Sequence, residues 1–289
     1  MDIPSIGLGT FRLRDASNAA LVVDAALDVG YRLIDTAQVY ANERCVGEAI
    51  SRAKFRLGLT RKDVFLTTKD LVLIHWPGTS KRRLSLPNSE NRLAAWAALE
   101  QLHSERKVRF IGVSNYAPLH LRELLASAPR VPPFINQIEL HPLCFNAARE
   151  TIAICHENNI KIQAYSSLGE GVLVDASIRD FDFMDEIVAR YCGVSRAQLL
   201  LRWAVQHRFY VIPKASNEAR LRENFNIMSF EISNQAEYKN SEQSGKQSKC
   251  RKKCINLYLV DKDMETLDSI TTTGGFSHRK FCWDPSTVT

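Results

Sequence analysis

Residues Val64 to Pro77 read VFLTTKDLVLIHWP. Two short apolar runs stand end to end here, one closing on Lys69 and the other on His75. Runs of four to eight apolar residues bounded by polar groups are the pattern of strands buried in a parallel sheet. Six more occur: SIGLGT (5–10), YRLIDT (31–36), VRFIGVSN (108–115), FINQIE (134–139), KIQAYS (161–166) and FYVIPK (209–214). Helical periodicity fills most of the intervals. It runs over 16–29, between Asp15 as N-cap and Gly30 as stop, and over 43–57, 89–106, 117–127, 146–158, 183–206 with a break near Gly193, 217–227 and 261–270. Eight strands alternating with helices predict an α/β chain, and 289 residues suit one (β/α)₈ barrel spanning 1–289.

Only the opening stretch breaks the alternation. Neighbouring parallel strands need a crossover of about a dozen residues or more, and Asp70 alone does not supply one. TTKDL also lacks the Asn-Gly or Gly-X signal of a tight hairpin. The junction therefore reads as one long strand, with Lys69 and His75 roughly 20 Å apart over six steps of about 3.3 Å. The expected barrel is incomplete or distorted at this point, because the loop and helix between strands three and four are missing.

Composition is that of a globular protein with a full core, 45% hydrophobic and 24% charged. No apolar run reaches the length of a membrane span, and MDIPSIGLGTF lacks the basic and apolar regions of a secretory signal. Seven scattered cysteines read as free thiols in a reducing, cytoplasmic setting. Cys250 and Cys254 have the only close spacing and no second ligand pair, so no metal is expected. The segment 234–260 holds six Lys/Arg and two Glu, which is +4 of the net +6. The charge is thus local, with no basic face for nucleic acid. This Gln/Ser/Lys-rich segment reads as a disordered surface insertion.

In a barrel, active-site groups sit at the strand C-termini. Those ends carry Asp35, Lys69, His75, Asn115, Gln137, Glu139, Tyr165, Ser166 and Lys214, with Tyr40 five residues past Asp35. A phenol of pKa about 10 is a poor proton donor at neutral pH unless a cation lowers it. Lys69 is the candidate cation, Asp35 its partner, and His75 a hydrogen-bond donor that orients a carbonyl oxygen. Tyr40 then protonates that oxygen as hydride reaches carbon.

GLGTF, IDTAQVYANE, LTTK, LIHWP, RKVRFIGVSNY, NQIELHP, AYSSLG, VIPKAS, RENF and CWDP occur in this order from Ile6 onward. In these words the chain resembles the aldo-keto reductase superfamily. The resemblance implies an NADP(H)-dependent reductase of small aldehydes or ketones, cytoplasmic and monomeric, with catalytic roles for Asp35, Tyr40, Lys69 and His75. It implies that Ser114, Asn115 and Gln137 bind the nicotinamide carboxamide and that Tyr165 stacks on the ring. Thr10, Asp35, Ser166 and Leu168 complete that side of the cofactor site. Lys214, Ser216, Arg220, Glu223 and Asn224 match the adenosine-phosphate pocket. A guanidinium and an ammonium there suit a 2′-phosphate, which favours NADP over NAD. Ala215 replaces a usual serine and removes one phosphate hydrogen bond. No GxGxxG is present, which argues against a Rossmann domain.

Trp76 reads equally as a substrate contact and as a rim packing residue, with the loop 78–90 and the segment after Gly275 completing the substrate wall. The fused junction leaves two alternatives to a working reductase. One is a catalytically weak NADP(H)-binding or regulatory barrel; the other is an unstable chain arising as a splice or gene-model variant.

Overall fold

Side chains alternate across a strand, so each short run can send one set into a ring and the other beneath a helix. The computed structural model, which describes residues 2–13, 15–78, 88–191, 193–228, 261–282 and 284–288, has that architecture. Its strands are β1 (Leu8–Gly9), β2 (Leu33–Asp35), β3 (Phe65–Leu66), β4 (Leu71–Ile74), β5 (Phe110–Ser114), β6 (Ile135–Glu139), β7 (Lys161–Tyr165) and β8 (Tyr210–Val211). All pair in parallel, β1 to β3 in one ladder and β4 to β8 in another. Two single bridges, Ile6 with Val211 and Thr67 with Leu71, join the ladders into a ring.

Register shows that the ring is a true barrel. From β1 to β8 the paired residues step by 26, 32, 4, 39, 23, 26 and 47. The Ile6–Val211 bridge steps back by 205, which leaves a net shift of eight residues. Eight strands with a shear of eight define the (β/α)₈ barrel.

Helices α1 (Ala16–Val29), α2 (Glu43–Leu57), α3 (Asn88–Ser104), α4 (Pro118–Ala126), α5 (Pro142–Glu157), α6 (Phe183–Val188), α7 (Arg196–Gln206), α8 (Glu218–Phe225) and α9 (Asp261–Asp268) surround it. The first shows how legible they are. Asp15 accepts from Asn18 N–H at its start, and Gly30, at φ 121°, returns its N–H to Ala26 and Leu27 at its end. The expected helix 183–206 is two helices, α6 and α7, on either side of Gly193. Helix α5 begins at Pro142, four residues before its apolar periodicity does, because proline is suited to a first turn. The insertion 234–260 and most of the loop 78–90 lie outside the described residues.

The junction is not the long strand that its pattern predicts. After Leu66 the chain makes one tight turn, with Lys69 N–H and Asp70 N–H both donating to Leu66 O at 3.1 and 2.8 Å. Leu71 emerges beside Thr67 and runs parallel to it. A crossover of three residues thus does what the rule of a dozen excludes, because no helix has to be carried across. The turn has its own clamp: the buried Asp70 carboxylate accepts from Leu66 N–H at 2.8 Å and from Arg61 at 2.7 Å, with Arg109 at 3.4 Å. Thr68 sits at φ 81°, a left-handed position unfavourable to a β-branched residue.

Inside the barrel, Leu33, Phe65, Leu71, Ile135 and Ile212 form one cluster with Ile3. Phe110 stacks between Phe65 and Phe134, with centroids 5.9 and 4.2 Å away. Outside, the missing helix leaves a trace. Every residue of β6 is buried, whereas Val72 and Ile74 of β4, which alternate with the inward Leu71 and Leu73, are only half-buried. Parallel strands are ordinarily covered on both faces.

Asp70→Ala removes the clamp and leaves Leu66 N–H without its acceptor. Urea unfolding should show a loss of about 2–3 kcal/mol. Thr68→Gly relieves a strain of about 1–3 kcal/mol at the cost of about 1 kcal/mol of chain entropy, so its midpoint should equal or exceed the parent's.

Candidate active site

Asp35 ends β2, and its carboxylate is buried beneath the barrel mouth. Gln137 on β6 reaches across the barrel to donate from Nε2 to Asp35 Oδ1 at 3.0 Å, and also donates to Gln163 Oε1 at 2.6 Å. The Thr67 hydroxyl leans toward the same carboxylate without completing a hydrogen bond, and its Oγ1 is buried and unpartnered. Burial pushes the Asp35 carboxyl up to about 6 against the opposing pull of Gln137 and Thr67.

Tyr40 ends a 3₁₀ turn, Gln38–Tyr40, that is closed by Ala41 in the left-handed region. Its ring stands edge-on to His75 with centroids 6.2 Å apart, and Phe11 flanks it at 5.1 Å. Burial raises the phenol pKa, and the charges of Asp35 and Cys282 raise it further. His75 follows β4, and although partly exposed, its ring is desolvated enough to lie below the ordinary imidazole range. The imidazole is therefore neutral at pH 7 and retains one N–H to donate.

Asp35, Tyr40 and His75 are thus brought together, but Lys69 is not among them. It sits in the turn after β3, exposed, and among the described residues its ammonium has no ion-pair or hydrogen-bond partner. Its backbone N–H is held by Leu66, so this lysine no longer ends a strand. The Asp35–Lys69 pair implied by the sequence resemblance is absent. What remains, among the described residues, is a buried carboxylate without a cation, and a tyrosine whose pKa is moved away from neutrality.

The residues expected around a nicotinamide cluster at the ends of β5 to β7. Ser114 Oγ donates to Gln137 O at 2.8 Å, and Tyr165 OH donates to Asn115 Oδ1 at 2.8 Å. Asn115 Nδ2 donates to His75 O at 3.1 Å, which ties the histidine to this group. Asn115 and Ser166 take positive φ, 63° and 49°, immediately past their strands. Thr10 Oγ1 donates to Asp35 O at 2.9 Å. Leu168 packs on the core at the start of the following turn, and Trp76 is half-buried past His75.

At the other end of the expected site, Lys214, Ser216 and Arg220 are exposed around the start of α8, which Asn217 caps. Among the described residues the two cations have no ion-pair partners. Glu223 is occupied, accepting from the Ser195 hydroxyl, and Asn224 is buried.

Residues without an assigned role also hold the site. Asn42 accepts from Thr36 Oγ1 at 2.7 Å and donates to Thr10 O at 3.0 Å, fixing the loop that carries Tyr40. Glu139, at the end of β6, and Cys282, beside Ser166, are further examples. Glu139 was signalled by its place at a strand end, and Cys282 only by its position in the matching word CWDP. Among the described residues no group of His, Cys, Asp or Glu is arranged to hold a metal, and no helix is long and apolar enough to cross a membrane.

A parallel barrel with an acid, a phenol and an imidazole at its strand ends has the architecture of a barrel oxidoreductase. The chain matches the model of the aldo/keto reductase family over residues 5–69 and 66–243, two stretches that meet at the fused turn. It is 38% identical over 257 residues to a 9,11-endoperoxide prostaglandin H2 reductase of Trypanosoma cruzi, covering 80% of this chain and 84% of that protein. Against the glyoxal reductase of Bacillus subtilis it is 34% identical over 260 residues, covering 81% and 86%. Aldose reductase from Giardia lamblia superposes with a TM-score of 0.73 at 26% identity, over 96% of this chain and 94% of that one. This chain belongs to the aldo-keto reductase family, oxidoreductases of carbonyl and alcohol groups.

Because its folded pKa lies above its unfolded value, Asp35 favours the fold while protonated. That contribution is present below about pH 4 and is lost as pH rises through about 6. Asp35→Asn should therefore raise stability at pH 7 by about 2–3 kcal/mol and match the parent at pH 4. Urea midpoints of the two proteins across that range check it.

Proposed function

We propose that this chain binds NADP(H) and reduces small aldehydes or ketones slowly, with Tyr40 as the general acid. The observation that carries the reading is the pairing of Tyr40 with a neutral His75, ring to ring at 6.2 Å, while Lys69 stands outside. The exposed Lys214 ammonium, the Arg220 guanidinium and the Ser216 hydroxyl are a donor set suited to a nucleotide phosphate. Asn115, Gln137 and Tyr165 offer amide groups and a ring face at the strand ends. One relative, from Hypocrea jecorina, is named glycerol 2-dehydrogenase (NADP(+)), which supports the choice of cofactor.

The bound nicotinamide would supply hydride. His75 donates a hydrogen bond to the carbonyl oxygen, and Tyr40 gives that oxygen its proton. Asp35, with no lysine to pair, only disfavours the tyrosinate that proton transfer leaves behind. Slow turnover follows from that electrostatics. The same observation favours a second reading, a barrel that binds NADP(H) and turns over little. The chain is read in either case as a single-domain, cytoplasmic monomer.

Binding of NADPH is followed by fluorescence, and turnover by NADPH oxidation with a reactive aldehyde. Tyr40→Phe should cut turnover about 10²-fold or more, within the usual contribution of a general acid. Lys69→Ala should stay within about twofold of the parent, as expected for an exposed, unpaired side chain. A collapse of activity in Lys69→Ala would show that the lysine acts in catalysis after all.

A further inference from the structure

The last described residues, 276–282 and 284–288, form a strap across the barrel mouth. It is pinned on one side to α5, where Arg279 N–H donates to Leu143 O at 3.1 Å. At the far end His120 accepts from Ala117 N–H at Nδ1, which leaves Nε2–H to donate to Val288 O at 2.6 Å. Between these pins lies Glu139. Its carboxylate is wholly buried and accepts from two consecutive strap amides, Phe281 N–H at 2.6 Å and Cys282 N–H at 3.1 Å. His141 completes the set, with Nε2 at 3.2 Å from Oε1.

The strap touches the reaction site at Phe281 and Cys282 and again at Val288. Cys282 Sγ lies 3.3 Å from Ser166 Oγ and within electrostatic reach of Tyr40 and Tyr165. Phe281 fills the space over Gly169, 2.7 Å from where a Cβ would stand. Val288 approaches Gly78 beside the Trp76 indole. Since Glu139 pairs in register with Tyr165, the strap's position is set by the same two strands that carry Gln137 and Tyr165.

We propose that Glu139 is a positioning residue for the carbonyl substrate. By holding the amides of Phe281 and Cys282, it fixes the strap as the wall of the pocket beside Tyr40. A neutral side chain would not do this equally well. The two backbone N–H groups go to different oxygens of the one carboxylate, which a glutamine amide cannot reproduce, and charge makes each bond stronger. Burial pushes the Glu139 carboxyl up, but the bonds from His141, Phe281 and Cys282 outweigh it and hold the group below the ordinary glutamate range. The inference rests on Tyr40 being the acid of the site.

Glu139→Gln keeps the size and removes one acceptor and the charge. With 4-nitrobenzaldehyde as probe, KM should rise about tenfold, with kcat within about threefold and NADPH affinity unchanged. Trypsin cleavage after Arg279 and Lys280 should quicken by a similar factor. Unchanged KM overturns the proposal, whether or not cleavage quickens. Should the parent protein fail to turn over, protection by the aldehyde is read instead. Aldehyde that shields Arg279 and Lys280 in the parent but not in Glu139→Gln supports the proposal, and no shielding in either overturns it. If Glu139→Gln does not fold, Phe281→Pro, which removes one donor from the strap side, takes its place with the same expected outcomes.

Discussion

A ring of parallel strands closes only if its register returns on itself, and that requirement governs this molecule. In the (β/α)₈ barrel the return is a shift of eight residues, and every strand-to-strand step contributes to it. Between β3 and β4 the step is four residues, the distance from Thr67 to Leu71. One tight turn covers it, held by Asp70 between Leu66 N–H and Arg61. The barrel is therefore conserved in geometry where it is reduced in content. The helix that ordinarily lies between two parallel strands covers their outer faces, and its loss shows in the half-buried, outward Val72 and Ile74 of β4.

Closing the ring so economically has a chemical consequence. Residues that would extend β3 to the mouth are used by the turn, and Lys69 is one of them. Asp35 and Tyr40 on β2 and its loop are untouched, as is His75 at the end of β4. Three of the four expected groups still converge, since each is placed by a strand that retains its neighbours. The fourth, Lys69, lies exposed in the turn after β3. Asp35 stays buried, and that burial carries its carboxyl up to about 6.

Much of this was legible in the linear chain. All eight strands were visible as short apolar runs, and Asp15 with Gly30 bounded α1 to the residue. Cap residues and apolar period act locally, so they survive any rearrangement elsewhere. The missing helix was legible too, as a gap in the alternation. What was not legible was the turn that resolves it, because TTKDL carries no glycine, proline or asparagine. Thr68 takes a positive φ that its own chemistry disfavours, and it does so because the ladders on either side leave no alternative.

The sequence by itself determined the number and order of the strands, the helices between them, and the residue types at their ends, since these depend on side-chain polarity and local backbone preference. Only the tertiary structure decided which of those ends meet. Gln137 finds Asp35 across the barrel, Glu139 finds the amides of Phe281 and Cys282, and Lys69 finds solvent. These outcomes depend on how a closed ring distributes its register, a sum over all eight strands that no single stretch of sequence contains.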